Sequence, residues 1–233
     1  MSLISLLAIA LTSQSGDISR YLQNDLHDAA FQAKVVHADQ RELAKINSDF
    51  GASYRFGTTD IHLKEPFKLR IDARVEDTHL TYVLNGTLQV LKVGPINQRT
   101  NLAHAPGRRQ TDFDFGLLTP SLFGDLYEAR FIRNDRETGD PVFDLFYIPS
   151  LGDKTRNRIW IDPAHHVIAK REWYAQDGHL LATFYYTNPE QQNGVWLPTQ
   201  LEVRNVDNVV AGVTRYGSIK VNEGVSDSLF NVR

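Results

Sequence analysis

A chain of 233 residues, 42% hydrophobic and 23% charged, has the composition of a globular protein large enough for one substantial core. Its net charge of -3 offers no attraction to a phosphate backbone, so nucleic acid is not an expected partner. The absence of cysteine excludes disulfides, thiol catalysis and cysteine-held zinc or iron–sulfur centres by inventory.

The chain opens on an apolar run, Leu3, Ile4, Leu6, Leu7, Ala8, Ile9, Ala10 and Leu11, followed by small and polar residues to Gly16. The run is too short for a bilayer, which takes about 20 apolar residues. It fits the core of a secretory signal peptide, with Ala8-Ile9-Ala10 as a small-x-small cleavage site, although no Lys or Arg precedes it. The expected organisation is a signal peptide over 1–16 and one domain over 17–233. Next, Ile18, Tyr21, Leu22, Leu26, Ala29 and Ala30 recur at three- and four-residue steps and predict an amphipathic helix. Past Ala30 the pattern divides. Phe31, Ala33 and Val35 alternate as in a strand, while Leu43, Ala44 and Ile46 fit a continued or restarted helix; helix followed by strand is the expected order.

Beyond Gly51 the period becomes two. Phe67, Leu69, Ile71, Ala73 and Val75 alternate with Lys68, Arg70, Asp72 and Arg74, which predicts a strand with water on one face only. Strands are also expected over Leu80–Leu84, Leu88–Val93, Ala129–Ile132, Val142–Ile148, Arg158–Ile161, Val167–Tyr174, Leu180–Tyr186, Leu197–Val203 and Val209–Tyr216. Asn85-Gly86, Asp177-Gly178 and Asn193-Gly194 lie between such runs, where a tight hairpin needs residues that accept positive φ. The sheet is therefore expected to be an antiparallel meander. One helix interrupts it: Thr119 can cap, Pro120 can open it, and Leu122, Phe123 and Leu126 share one side.

Catalytic motifs are missing: there is no Gly-x-Ser-x-Gly elbow, His-Glu-x-x-His, P-loop or dinucleotide-binding glycine pattern. Asp162, His165, His166 and His179 form the most metal-like group, but adjacent strand residues face opposite ways and Asp162-Pro163-Ala164 suggests a surface turn. Arg108-Arg109, near His104 and Lys92, reads as a solvated loop doublet, and Trp160, Trp173 and Trp196 as core or rim residues. The informative property is an extended apolar sheet face with few helices to cover it. Covered loosely by the helices near Ile18 and Leu122, that face leaves a hydrophobic cavity; covered tightly, it is an ordinary core. Alternation turns Phe67, Leu69 and Ile71 inward, with Tyr82 and Leu84 on the next strand and Phe184 and Tyr186 on a C-terminal one, while Leu122 and Phe123 approach from the inserted helix. These nine are the candidate ligand-binding residues.

An ordered series in the second half carries a family resemblance. Trp160-Ile161-Asp162-Pro163, Lys170-Arg171-Glu172, Asp177-Gly178, Phe184-Tyr185-Tyr186, Trp196-Leu197-Pro198-Thr199, Val221-Asn222 and Asp227-Ser228-Leu229-Phe230 resemble the LolA-like outer-membrane lipoprotein-sorting proteins. Glu65-Pro66-Phe67-Lys68-Leu69-Arg70 is similar to a strand of that family, with Glu65 where a basic residue is common. The resemblance implies an α+β fold, mainly antiparallel β, in which an incomplete, half-open β-barrel meander is covered by an N-terminal helix and a short inserted helix. It implies a monomeric periplasmic carrier that shields lipid or lipoprotein acyl chains, without catalytic residues, metal or cofactor, with envelope membrane proteins as donor or acceptor. An envelope sensor or assembly factor using the same fold to bind a protein is the alternative.

Overall fold

The computed structural model describes residues 16–75 and 77–232; the expected signal peptide falls almost wholly outside them. Thirteen antiparallel strands form one open sheet. The first leaf comprises β1 (Asp28–Ala38), β2 (Thr58–Lys64), β3 (Lys68–Val75), β4 (Thr78–Asn85), β5 (Leu88–Val93) and β6 (Ile96–Asn101). The second comprises β7 (Tyr127–Asn134), β8 (Pro141–Tyr147), β9 (Arg156–Asp162), β10 (Val167–Tyr174), β11 (Leu180–Gln192), β12 (Val195–Asn205) and β13 (Val210–Val221). Within each leaf every strand pairs with its neighbour in sequence, and β1 pairs with β13 to join the leaves. Asn222 fixes the start of this seam: its Oδ1 accepts from the backbone N–H groups of His27 and Asp28 at 2.9 and 3.2 Å. The expected hairpin glycines Gly86, Gly178 and Gly194 all have positive φ.

The sheet does not close, because β6 and β7 form its two free edges. Residues 102–126 join those edges as a strap across the mouth. The strap contains 3-10 turns at Pro106–Arg108 and Asp112–Phe115, then α3 (Pro120–Asp125), the inserted helix expected from Thr119-Pro120. Its backbone is tied to the second leaf and to the segment before β1, through Ile168 N–H to the Gly116 carbonyl at 2.9 Å and Gln23 N–H to the Leu118 carbonyl at 2.7 Å.

Gly116 is required there twice over. Its φ is +82°, and a Cβ would lie 2.7 Å from the Tyr186 ring and 2.9 Å from Pro198. Gly116→Ala is expected to cost at least about 1–3 kcal/mol from backbone strain alone, read as a lower urea midpoint at unchanged m-value. An unaltered midpoint would show that the strap does not seat as described.

The N-terminal helix expectation needs correction. Ile18–Tyr21 forms a single 3-10 turn capped by Asp17, and the chain is extended from Asp28. Three apolar residues spaced for a helix suffice for one turn. Beyond it Ala29, Phe31 and Ala33 alternate toward the core, and pairing with β2 and β13 on both sides outweighs helical spacing. Helical cover comes instead from α1 (Gln40–Ala44) and α2 (Ser48–Ser53), whose buried Leu43 and neighbouring Tyr54 close one end. The convex face of β3 and β4 is not left to water either. The C-terminal segment packs on it: Phe230 is buried with Val83 and Val90, Asp227 accepts from Lys64 and Lys68, and the Leu229 carbonyl accepts from Arg70.

Candidate functional site

The concave face is one continuous apolar cluster. Leu69 stands opposite Leu63 and Leu84, and Ile71 opposite Ile61 and Tyr82, so the β2–β3–β4 register turns a single row of large side chains inward. Phe67, Leu69, Tyr82, Leu84, Leu122, Phe184 and Tyr186 are all buried in this cluster, and Ile71 and Phe123 pack against it partly buried. The structure thus brings all nine candidate residues together, from both leaves and the strap.

It also shows what fills the concavity. Leu102, Phe113, Leu117, Leu118, Leu122 and Leu126 of the strap are each no more than 2% exposed. The void left between β2–β3 and the strap, beside Leu63, Phe67, Leu69 and Asp112, measures about 10 Å³, room for about one water. Of the two expectations for this face, the tightly covered one describes this conformation.

Inside the apolar lining lies a polar row absent from the sequence expectations. Glu65 accepts from the Ser121 hydroxyl at 2.5 Å, Ser121 lies 3.2 Å from Thr119, and Thr119 donates to Asp112 at 2.5 Å. Burial pushes the Glu65 carboxyl up, and burial followed by the charge of Glu65 raises Asp112 well above its ordinary value. Farther along, Arg171 of β10 donates through Nη1 to Asp114 of the strap at 3.0 Å. Its guanidinium lies 4.0 Å from the centre of the Phe184 ring and 4.9 Å from that of Phe113. Tyr186 donates to the Asp114 carbonyl at 3.3 Å, and its phenol is pushed up, first by burial. The signal for Arg171 was its place opposite Phe184, an inward position visible only once β10 and β11 are in register.

The remaining polar candidates are structural. Asp162–His166 is a turn, with His166 at φ 55°; His165 Nδ1 lies 2.5 Å from Asp162, and its ring meets Trp196 edge-on. Of the loop doublet Arg108 is exposed, while Arg109 is half-buried and braces the strap by donating to the Leu102 and Ala103 carbonyls. Trp160 is buried, its indole N–H on Asp135 at 2.9 Å. Among the described residues no group of three or more His, Asp or Glu is placed to hold a metal, and no helix is long and apolar enough to cross a membrane.

Solved structures share this open antiparallel fold. A LolA superfamily protein from Nitrosomonas europaea is 16% identical, with a TM-score of 0.62 over 92% of this chain and 94% of that one. A domain described as an outer membrane lipoprotein-sorting protein, from Vibrio parahaemolyticus, is 14% identical with a TM-score of 0.60 over 92% and 93%. A DUF1329 family protein from Desulfovibrio piger is 11% identical with a TM-score of 0.61 over 92% and 93%. No curated protein sequence matches. The chain belongs to a family described as uncharacterized protein, whose model matches residues 110–233, from the strap through the whole second leaf.

Proposed function

We propose that this protein is a non-catalytic periplasmic carrier, exported through the leader at residues 1–16, that shelters an acyl chain of a lipid or lipoprotein in its half-barrel. The observation that supports this most is the nature of the filling: a strap joined to the sheet edges at its two ends, not a packed second layer, occupies the concavity. A ligand enters by displacing part of it. Burying a methylene contributes about 0.8 kcal/mol, so a chain of about fourteen carbons offers roughly 10 kcal/mol. Re-exposing a large apolar side chain costs about 1.5–3 kcal/mol, so releasing all six strap residues would consume most or all of that gain, whereas releasing a few leaves a surplus. Partial displacement is therefore the expected mode, and envelope membrane proteins that load or unload the ligand would have to act on the strap. Phe67, Leu69, Ile71, Tyr82, Leu84, Leu122, Phe123, Phe184 and Tyr186 are the proposed ligand contacts.

Mass spectrometry of organic extracts from natively purified protein, together with titration of a fluorescent fatty-acyl probe, tests the reading. Co-purified lipid and saturable probe binding are expected, and binding should tighten in Leu118→Ala, which loosens the strap without touching the proposed lining. Absence of both lipid and probe binding would favour the second reading, a sensor or assembly factor that binds a protein through this fold, for which the filled concavity is the supporting observation.

A further inference from the structure

Arg171 is a costly residue to place where it is. Its side chain is buried between two phenylalanine rings, and its Nε has no hydrogen-bond partner. A guanidinium presents five donors in a planar fork suited to two-point pairing with a carboxylate. The strap satisfies it poorly, through one contact from Nη1 to Asp114 Oδ1 at 3.0 Å. The same chain builds the two-point pair elsewhere: Arg158 meets Asp144 through Nε at 2.7 Å and Nη2 at 2.9 Å. A buried ion pair left incomplete in this way contributes little to stability that an apolar residue could not, so stability does not account for Arg171. Asp114 meanwhile stays about one-third exposed, so the guanidinium's partner is reachable from solvent.

We propose that Arg171 anchors the carboxylate head of a single-chain, fatty-acid-like ligand, and that Phe113-Asp114 of the strap occupies that place in the unliganded protein. This rests on the carrier reading and names its ligand class. Entry of the ligand exchanges like for like, a carboxylate for the Asp114 carboxylate and hydrocarbon for the Phe113 ring. The free carboxylate, unconstrained by the strap backbone, can pair side-on with Nε and Nη2, as Asp144 does with Arg158, and satisfy the donor that Asp114 leaves unpaired. Tyr186, which already donates to the Asp114 carbonyl, is placed to offer its hydroxyl to the incoming head.

The test uses the full chain with cis-parinaric acid and its methyl ester, two probes that share the hydrocarbon and differ in the charge of the head. The acid is expected to bind at least about tenfold tighter than the ester, the worth of a charge-assisted pair. Asp114→Asn, which weakens the internal competitor, should tighten the acid and leave the ester unchanged, and Arg171→Gln should bring the acid down to the ester's level. Should Arg171→Gln fail to fold, the two probes on the parent protein still decide. Equal binding of acid and ester would overturn the anchor while leaving the acyl shelter standing. Binding of neither would overturn both.

Discussion

Glutamate at Leu69 is expected to be the most damaging single change on the concave face. Leu69 is 1% exposed and packs between β2 and β4, so a carboxylate there must be buried without a partner or else pull the strand out of register. Either outcome costs several kcal/mol, a large part of the roughly 5–15 kcal/mol that stabilises a typical domain. Leu69→Ala, which only removes methyl groups, should cost about 2–5 kcal/mol and leave enough folded protein for binding measurements, where a weaker acyl affinity is expected. The contrast is Lys68→Ala on the convex face. Lys68 pairs with Asp227, whose side chain is 66% exposed, so its loss should cost at most about 1 kcal/mol and leave acyl binding unchanged. Urea unfolding at constant m-value reads the stabilities. A Leu69→Ala cost as small as that of Lys68→Ala, or equal losses of binding in the two variants, would refute the inward assignment.

The second large effect is a gain. Asp112 is 4% exposed and fully part of the strap's interior, with Glu65 near enough to oppose its ionisation. Because its folded pKa is raised, first by burial and then by Glu65, the folded protein holds a proton that the unfolded chain releases above about 3.8. Its contribution to stability is complete below that value and is lost as pH rises through the raised folded value. Asp112→Asn keeps an acceptor for the Thr119 hydroxyl and removes the charge. The variant should match the parent near pH 4 and exceed it near pH 8 by about 1–2 kcal/mol, the scale of a relieved buried polar mismatch. In a chain of this size that is a rise in thermal midpoint of several degrees, at about 2–4 °C per kcal/mol. The parent's own profile is less simple, because other carboxylates run the opposite way. Burial opposes the ionisation of Asp144, yet hydrogen bonds and charge from Arg158 and Arg156 hold it below its ordinary value, so its contribution is lost as pH falls. The difference between variant and parent isolates the Asp112–Glu65 pair from these other carboxylates. A gain that stayed constant from pH 4 to pH 8 would contradict this account.

The extent to which the molecule could be read in advance follows from how local each determinant is. β5 and β10 occupy the very spans expected from the sequence, since each is a short run rich in strand-forming residues bounded by turn residues. β6, by contrast, is Ile-Asn-Gln-Arg-Thr-Asn; as a mostly exposed edge strand it has no buried face to leave a pattern. The segment after Ile18 misleads because its spacing suits a helix while its two flanking strands demand extension, and the flanking strands are distant in sequence. The same distance hides the C-terminal cover on Lys64, Lys68 and Arg70, whose partners lie about 160 positions away. At the site, apolar alternation finds the lining residues of β3, β4 and β11. The Glu65–Ser121–Thr119–Asp112 row and the Arg171–Asp114 pair escape it, because their meaning depends on where the strap comes to rest.

The seam between β1 and β13 also governs how the molecule must be assembled. Each leaf is a succession of hairpins, which form early because their partners are adjacent along the chain. The wall becomes continuous only when the final strand finds β1, closing a loop of almost the whole chain. Until then an emerging polypeptide carries two finished half-walls hinged at the strap, with β1 and then β12 exposed as raw edges. Such an intermediate is a template for strand exchange with another copy. The vulnerable interval therefore lasts until β13 has been made and paired, and a chaperone that shields β1 until then would protect the protein more than one acting on any completed leaf.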